Sequence, residues 1–141
     1  MSDNISLQLV NTIVQELHLT EAKEKFDTNE SAFSLGLAVG LREENSNDCK
    51  NFDVTFKSEF QLKEGFILKV EYRAIFETDV PIDATIKNGN KKSFLTVNAP
   101  AIAFPFFRAF IATFLTNSGF IPIILPSINF LKLSQEQDNL K

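Results

Sequence analysis

Residues 101–115 read Ala-Ile-Ala-Phe-Pro-Phe-Phe-Arg-Ala-Phe-Ile-Ala-Thr-Phe-Leu, and Arg108 is the only charge among them. A helix on the surface of a monomer keeps one apolar stripe for the core and a polar side for water. This segment has no polar side. Half of such a helix left in water would exceed the few hundred Å² of contiguous apolar surface that monomers usually carry. Burying a Phe, Leu or Ile is worth about 1.5–3 kcal/mol, so covering a handful of them outweighs much of the cost of association. Lipid is one possible cover, but a spanning helix needs about 20 apolar residues. This run is shorter, has Arg108 near its middle and ends in Asn117-Ser118-Gly119. The expectation is therefore a helix with its own sheet on one side and a sister chain on the other, without stable membrane insertion. Phe104, Phe107, Phe110, Ile111 and Phe114 are the candidates for the oligomer interface.

The rest of the chain supplies the sheet. From Ile5 to Leu19 apolar residues fall mostly on odd positions, opposite Ser6, Gln8, Thr12, Glu16 and His18, and a period of two reads as a strand. Leu7, Val10, Val14 and Leu17 also fit a helical stripe. The β-branched Ile5, Val10, Thr12, Ile13 and Val14 tip the reading towards a strand. A second strand runs from Phe33 to Leu41, with Phe33, Leu35, Leu37, Val39 and Leu41 on one face and Ser34, Gly36, Ala38 and Gly40 on the other. That smooth second face suits something packed close against it. Phe52 to Leu62 and Phe66 to Phe76 alternate on either side of Lys63-Glu64-Gly65, which is a hairpin pattern.

Residues 78–96 read as an irregular connection with a short helical turn. Asn98 can cap a helix whose first turn tolerates Pro100. Pro105 lies inside the pattern and offers a second start, with the residues before it as an extended lead-in. Gly119 supplies a stop. Residues 120–126, punctuated by Pro122 and Pro126, read as an extended apolar arm, and residues 127–137 as a short final helix. The 141 residues suit one domain.

Composition narrows the chemistry. A net charge of -4 argues against a nucleic-acid footprint, which needs a clustered positive face. With one Cys, Cys49, and one His, His18, no intrachain disulfide, zinc cluster or His-based triad is expected within a single chain. Cys49, in a polar loop, reads as a chance surface thiol. No secretory apolar stretch follows the polar start, so a cytoplasmic location is expected. Without export, the Asn-x-Ser matches at Asn4 and Asn29 carry no meaning. Glu16, His18 and Glu21 resemble an acid/base cluster, but alternation puts Glu16 and His18 on the solvent face, which alone accounts for their polarity. No enzyme activity, cofactor or metal is expected. The 15 Phe against one Tyr and no Trp suit a core, an apolar groove, or both.

The C-terminal third carries a more specific pattern. Asn98-Ala99-Pro100, then Phe104-Pro105-Phe106-Phe107-Arg108, Ser118-Gly119-Phe120 and Leu125-Pro126-Ser127-Ile128-Asn129-Phe130 resemble the SecB protein-export chaperone family. The resemblance is close after Asn98 and weaker before it. It implies an α+β fold: a four-stranded antiparallel sheet, a long apolar helix and a short C-terminal helix. It also implies a homotetramer, a dimer of dimers, that holds unfolded or pre-secretory polypeptides without ATP and keeps them competent for translocation. Phe33, Leu35, Leu37, Phe130 and Leu133 match the family's client-binding positions. Glu16 matches an acid with which relatives dock on the SecA motor, while Thr20 and Lys69 stand where others carry acids. Some SecB-like proteins instead guard an antitoxin. A hot-dog-type acyl-ligand protein, which also wraps a sheet around an apolar helix, is the competing class. Its helix usually lies between early strands, and no carboxylate or His stands at the helix start here to activate water.

Overall fold

The computed structural model describes residues 6–24, 31–41, 50–79 and 94–133. Four strands come first: β1 (Leu7–Glu21), β2 (Ala32–Leu41), β3 (Asn51–Leu62) and β4 (Phe66–Thr78). They pair antiparallel in the order β1-β4-β3-β2, so β1 and β2 are the edges. A π-helical turn, Phe94–Asn98, runs into the helix α1 (Ala99–Asn117). After it come an extended stretch, residues 121–129, and a helical turn at residues 130–133. The expected Asn-x-Ser matches, Cys49 and most of residues 78–96 and 134–141 lie outside the described residues.

β3 is the centre of the core because its alternation is unbroken. Phe52, Val54, Phe56, Ser58, Phe60 and Leu62 all point inward and are buried. Gly65, at φ 94°, closes the hairpin to β4 in a conformation that a side chain would strain. The inner row of β4, Leu68, Val70, Tyr72, Ala74 and Phe76, is buried alongside.

Strand β1 departs from the odd-position pattern. Its pairing to β4 skips Val10 and Gln15, and each extra residue reverses the phase of the side chains. Thr12 and Val14 therefore face Ala74 and Tyr72 on the inner row, while Ile13 stands opposite Arg73 on the outer one. After the second bulge Leu17 and Leu19 return inward, opposite Val70 and Leu68. Val10, Ile13 and Val14 remain exposed on this edge strand.

The helix begins at Ala99, not at Pro105. Asn98 is itself in the helical region, with no side-chain cap, because the π turn already leads into the helix. Pro105 forfeits only its bond to the Ala101 carbonyl, on a side where both residues are exposed. At the other end Gly119, at φ 92°, makes the stop expected of it. The Phe120 N–H donates to the Leu115 carbonyl at 2.9 Å and that of Gly119 to Thr116 at 3.3 Å, a Schellman closure.

Which side of α1 meets the sheet is set by a row four residues apart. Ala99, Ala103, Phe107, Ile111 and Leu115 are all fully buried. Phe107 sits over β3 and β4, its ring 5.3 Å from Phe56, 5.4 Å from Tyr72 and 6.5 Å from Phe60. Replacing Phe107 with Ala should lower stability by about 3–5 kcal/mol, since the cavity is walled by rings that cannot collapse into it. Urea unfolding followed by circular dichroism measures the loss.

Candidate functional site

The ridge that holds α1 to the sheet takes up three of the residues expected at the interface. Phe104, Phe107 and Ile111 are core residues of their own chain, and none has surface to offer a partner. Phe110 and Phe114 are half-buried and stack on each other at 6.0 Å, with Phe110 also 5.5 Å from Tyr72. The open side of the helix carries Ala101, Ile102, Pro105, Phe106, Ala109, Thr113 and Thr116. Ile102 is 42% and Phe106 52% exposed. Sequence alone could not choose between the two sides because both are apolar. By length and composition Leu95–Asn117 could cross a membrane. The burial of its sheet-facing ridge is that of a core helix.

A second uncovered apolar surface lies on β2. Phe33, Leu35, Leu37 and Val39 face inward but are only partly buried, because α1 lies over the other strands. Phe33 stacks on Phe60 at 6.0 Å. Leu35 stands opposite Ser58, the shortest side chain of the inner β3 row. The Ser58 hydroxyl donates to the Ser34 carbonyl at 2.7 Å and ties this edge strand down from within.

Beyond α1 the chain runs back from Phe66 at the start of β4 to Phe56 on β3. Ile121 and Ile124 are exposed on the arm, Ile124 to 91%. Leu125 and Phe130 are buried. The Phe130 ring lies 5.6 Å from Phe104 and 6.1 Å from Phe56. Phe130 is therefore an anchor that pins the last turn to the core, while Leu133 stays partly buried and Leu131 is exposed. Asn129 caps the turn, its side-chain oxygen accepting from the Lys132 N–H at 3.1 Å. The Arg108 guanidinium lies 5.4 Å from the centre of the Phe104 ring, a cation over an aromatic face.

The outer face of the sheet is a grid of mixed charge. Glu16 accepts from His18 at 3.0 Å, and both are more than half exposed; Glu21, opposite Phe66, does not join them. Lys57 pairs with Glu71 at 3.9 Å and Arg73 with Asp53 at 3.7 Å. Glu16, His18, Lys57, Lys69 and Glu71 surround a shallow depression of 260 Å³. Acids and bases alternate across it, so Glu16 does not belong to a uniformly acidic face. The smooth row on β2 is open at Gly40, where a side chain would meet nothing within 4 Å, while at Gly36 it would touch Lys57 of β3 at 3.6 Å. The inner face, where a hot-dog fold would hold an acyl chain, is filled by Phe56, Phe60 and Phe107. Among the described residues no group of His, Cys, Asp and Glu is placed to hold a metal ion.

The family model for preprotein translocase subunit SecB matches residues 4–140. A protein-export protein SecB of Anaplasma phagocytophilum is 30% identical over 84 residues, 60% of this chain and 52% of that protein. One of Neorickettsia sennetsu is 37% identical over 73 residues, 50% of this chain and 40% of that protein. One of Hyphomonas neptunium is 24% identical over 136 residues, 94% of this chain and 78% of that protein. The matches to the first two thus span about half of those proteins' length. In structure the chain is similar to a SecB-like chaperone of Mycobacterium tuberculosis, solved in complex with a ChAD peptide from an antitoxin. The TM-score is 0.61 at 12% identity, over 86% of this chain and 87% of that one, which shows a shared fold.

Replacing Ser58 with Ala removes one hydroxyl donor from the carbonyl of an edge strand. A loss of about 0.5–1.5 kcal/mol in urea unfolding is expected, with exchange at the β2 amides accelerated more than at those of β3.

Proposed function

The chain belongs to the SecB family, and from that premise we propose that it is an ATP-independent holdase, a non-catalytic chaperone that keeps unfolded polypeptides from aggregating. The observation that carries the reading is the half-covered inner row of β2, Phe33, Leu35 and Leu37. A row of apolar side chains on an edge strand suits an extended polypeptide. Its recognition is sequence-tolerant, because apolar burial has no directional code. Leu133 and the exposed Leu131 extend that surface, while Phe130 contributes by fixing the last turn and Val39 prolongs the row. Ordering a flexible client costs entropy, so each pocket must return more than it takes.

The assembly in this reading is a homotetramer, a dimer of dimers, with the open side of α1 between chains. Ile102 and Phe106 replace the buried Phe104, Phe107 and Ile111 as its contacts, and Phe110 and Phe114 flank them. A cytoplasmic location follows from the same reading. A role in export of pre-secretory clients is supported by the relatives' names, and the SecA motor is the recipient that this reading assigns. The mixed charge around Glu16 favours a second recipient, an antitoxin, as does the peptide bound by the Mycobacterium tuberculosis neighbour.

The test is light scattering from a chemically unfolded enzyme diluted into buffer without nucleotide. The chain should suppress aggregation at stoichiometric amounts. The doubly substituted Leu35→Asp, Leu37→Asp protein should lose about 100-fold or more in affinity for apolar peptides, as two buried leucines are removed. Aggregation unchanged at several-fold excess of the native chain would rule the holdase out.

A further inference from the structure

The tip of the β3–β4 hairpin is a junction at which each residue holds a different part of the chain. The Lys63 N–H donates to the Ser31 hydroxyl at 3.0 Å, at the start of β2. The Gly65 carbonyl accepts from the Ala22 N–H at 2.8 Å, just past the end of β1. Gly65 in turn closes the hairpin through its N–H to the Leu62 carbonyl at 2.9 Å. These bonds fix the tip against both edges of the sheet. Between them the Glu64 carboxylate reaches out and accepts from the Ile121 N–H at 3.0 Å, the first residue of the arm.

That bond stands apart because the arm has so little else. Pro122 and Pro126 cannot donate. Among the described residues Glu64 makes the only polar tie between the sheet and residues 121–128. The remaining attachments are apolar: Phe120 against Phe66 at 5.1 Å at the near end, Leu125 midway and Phe130 at the far end. Gly119, in the left-handed region, lies two residues before Ile121 and is the natural hinge. A stiff strap with apolar contacts along its length and one ionic, directional contact at its root can be held or released at that root. A charge-assisted hydrogen bond fixes direction as apolar contacts do not.

The geometry points to Glu64 as the latch of the arm: a positioning residue that holds residues 121–129 between their apolar attachments, Phe120 on Phe66 and Phe130 on Phe56, and so sets how long a client stays in the groove. This rests on the holdase reading for the client, but the latch itself can be tested without one. Glu64 is exposed at a turn, so its variants should fold.

The experiment compares the native chain with Glu64→Ala and Glu64→Gln by timed proteinase K digestion. Mass spectrometry locates the cuts, and the release rate of a fluorescent peptide rich in Phe and Leu is measured in parallel. Glu64→Ala should speed cutting within residues 121–129 by about 3- to 10-fold, the equilibrium value of one solvent-exposed hydrogen bond, and speed peptide release by the same factor. Association and sheet protection should be unchanged. Glu64→Gln, which keeps an acceptor oxygen, should recover most of the protection. Unchanged cutting of the arm in Glu64→Ala overturns the latch, as does equal loosening of sheet and arm. Faster cutting with an unchanged release rate overturns its control of residence. A native chain that binds no peptide removes the groove and that control, while the digestion still decides the latch.

Discussion

Phe107 inserted among Phe56, Phe60 and Tyr72 is the contact on which the rest of this molecule is arranged. It fixes the rotation of α1, and a helix with apolar residues all round has no other means of choosing a face. Once Phe107 is seated, Ala99, Ala103, Ile111 and Leu115 must follow it into the sheet, since they lie four residues apart on one row. Phe104 is carried to the flank, where it meets Phe56, Phe130 and the Arg108 guanidinium. The last turn is thereby docked by the same helix that caps the core. Ile102 and Phe106 are left on the far side, 42% and 52% exposed.

The two faces of the sheet divide the remaining work. The inner face is aromatic and filled at its centre, but thins towards β2, where small Ser58 and the limited reach of α1 leave Phe33, Leu35 and Leu37 half-covered. The outer face is a lattice of near-balanced charge, Glu16 with His18, Lys57 with Glu71 and Arg73 with Asp53. The exposed Glu16–His18 pair adds little stability, while Arg73 and Asp53 are largely covered, at 28% and 16% exposure. Together the pairs keep a flat sheet face wetted, and they give any partner that docks there a pattern of both signs in place of a single field.

Much of this was legible in the sequence, for identifiable reasons. The Phe52–Leu62 and Phe66–Phe76 alternations sit on central strands that bulges do not interrupt, so period and burial agree. The Gly119 stop and the extended arm with its two prolines are dictated by single residues with strong backbone preferences. β1 was read correctly as a strand, but the phase of its middle was not, because a bulge is a choice of the pairing partner and leaves no mark at Val10 or Gln15. Pro105 misled as to the start of α1, since its cost depends on whether the Ala101 carbonyl faces water. The β2 row proposed for clients is nameable through the family resemblance alone. Phe104, Phe107 and Ile111 are buried within their own chain, a distinction the sequence does not make, because hydrophobicity says that a side chain is covered and not by what. The Glu64 tie to Ile121 spans 57 residues and has no sequence signal at all.

The account depends most on the fate of the open side of α1. Solvent cannot be its neighbour if Ile102 and Phe106 are to be buried, and on this reading a sister chain supplies the cover. Sedimentation velocity across a dilution series from micromolar to low nanomolar chain tests this directly. A particle of several times 15.9 kDa that persists through the series is the expected result. A fully folded particle of 15.9 kDa at every concentration would contradict it.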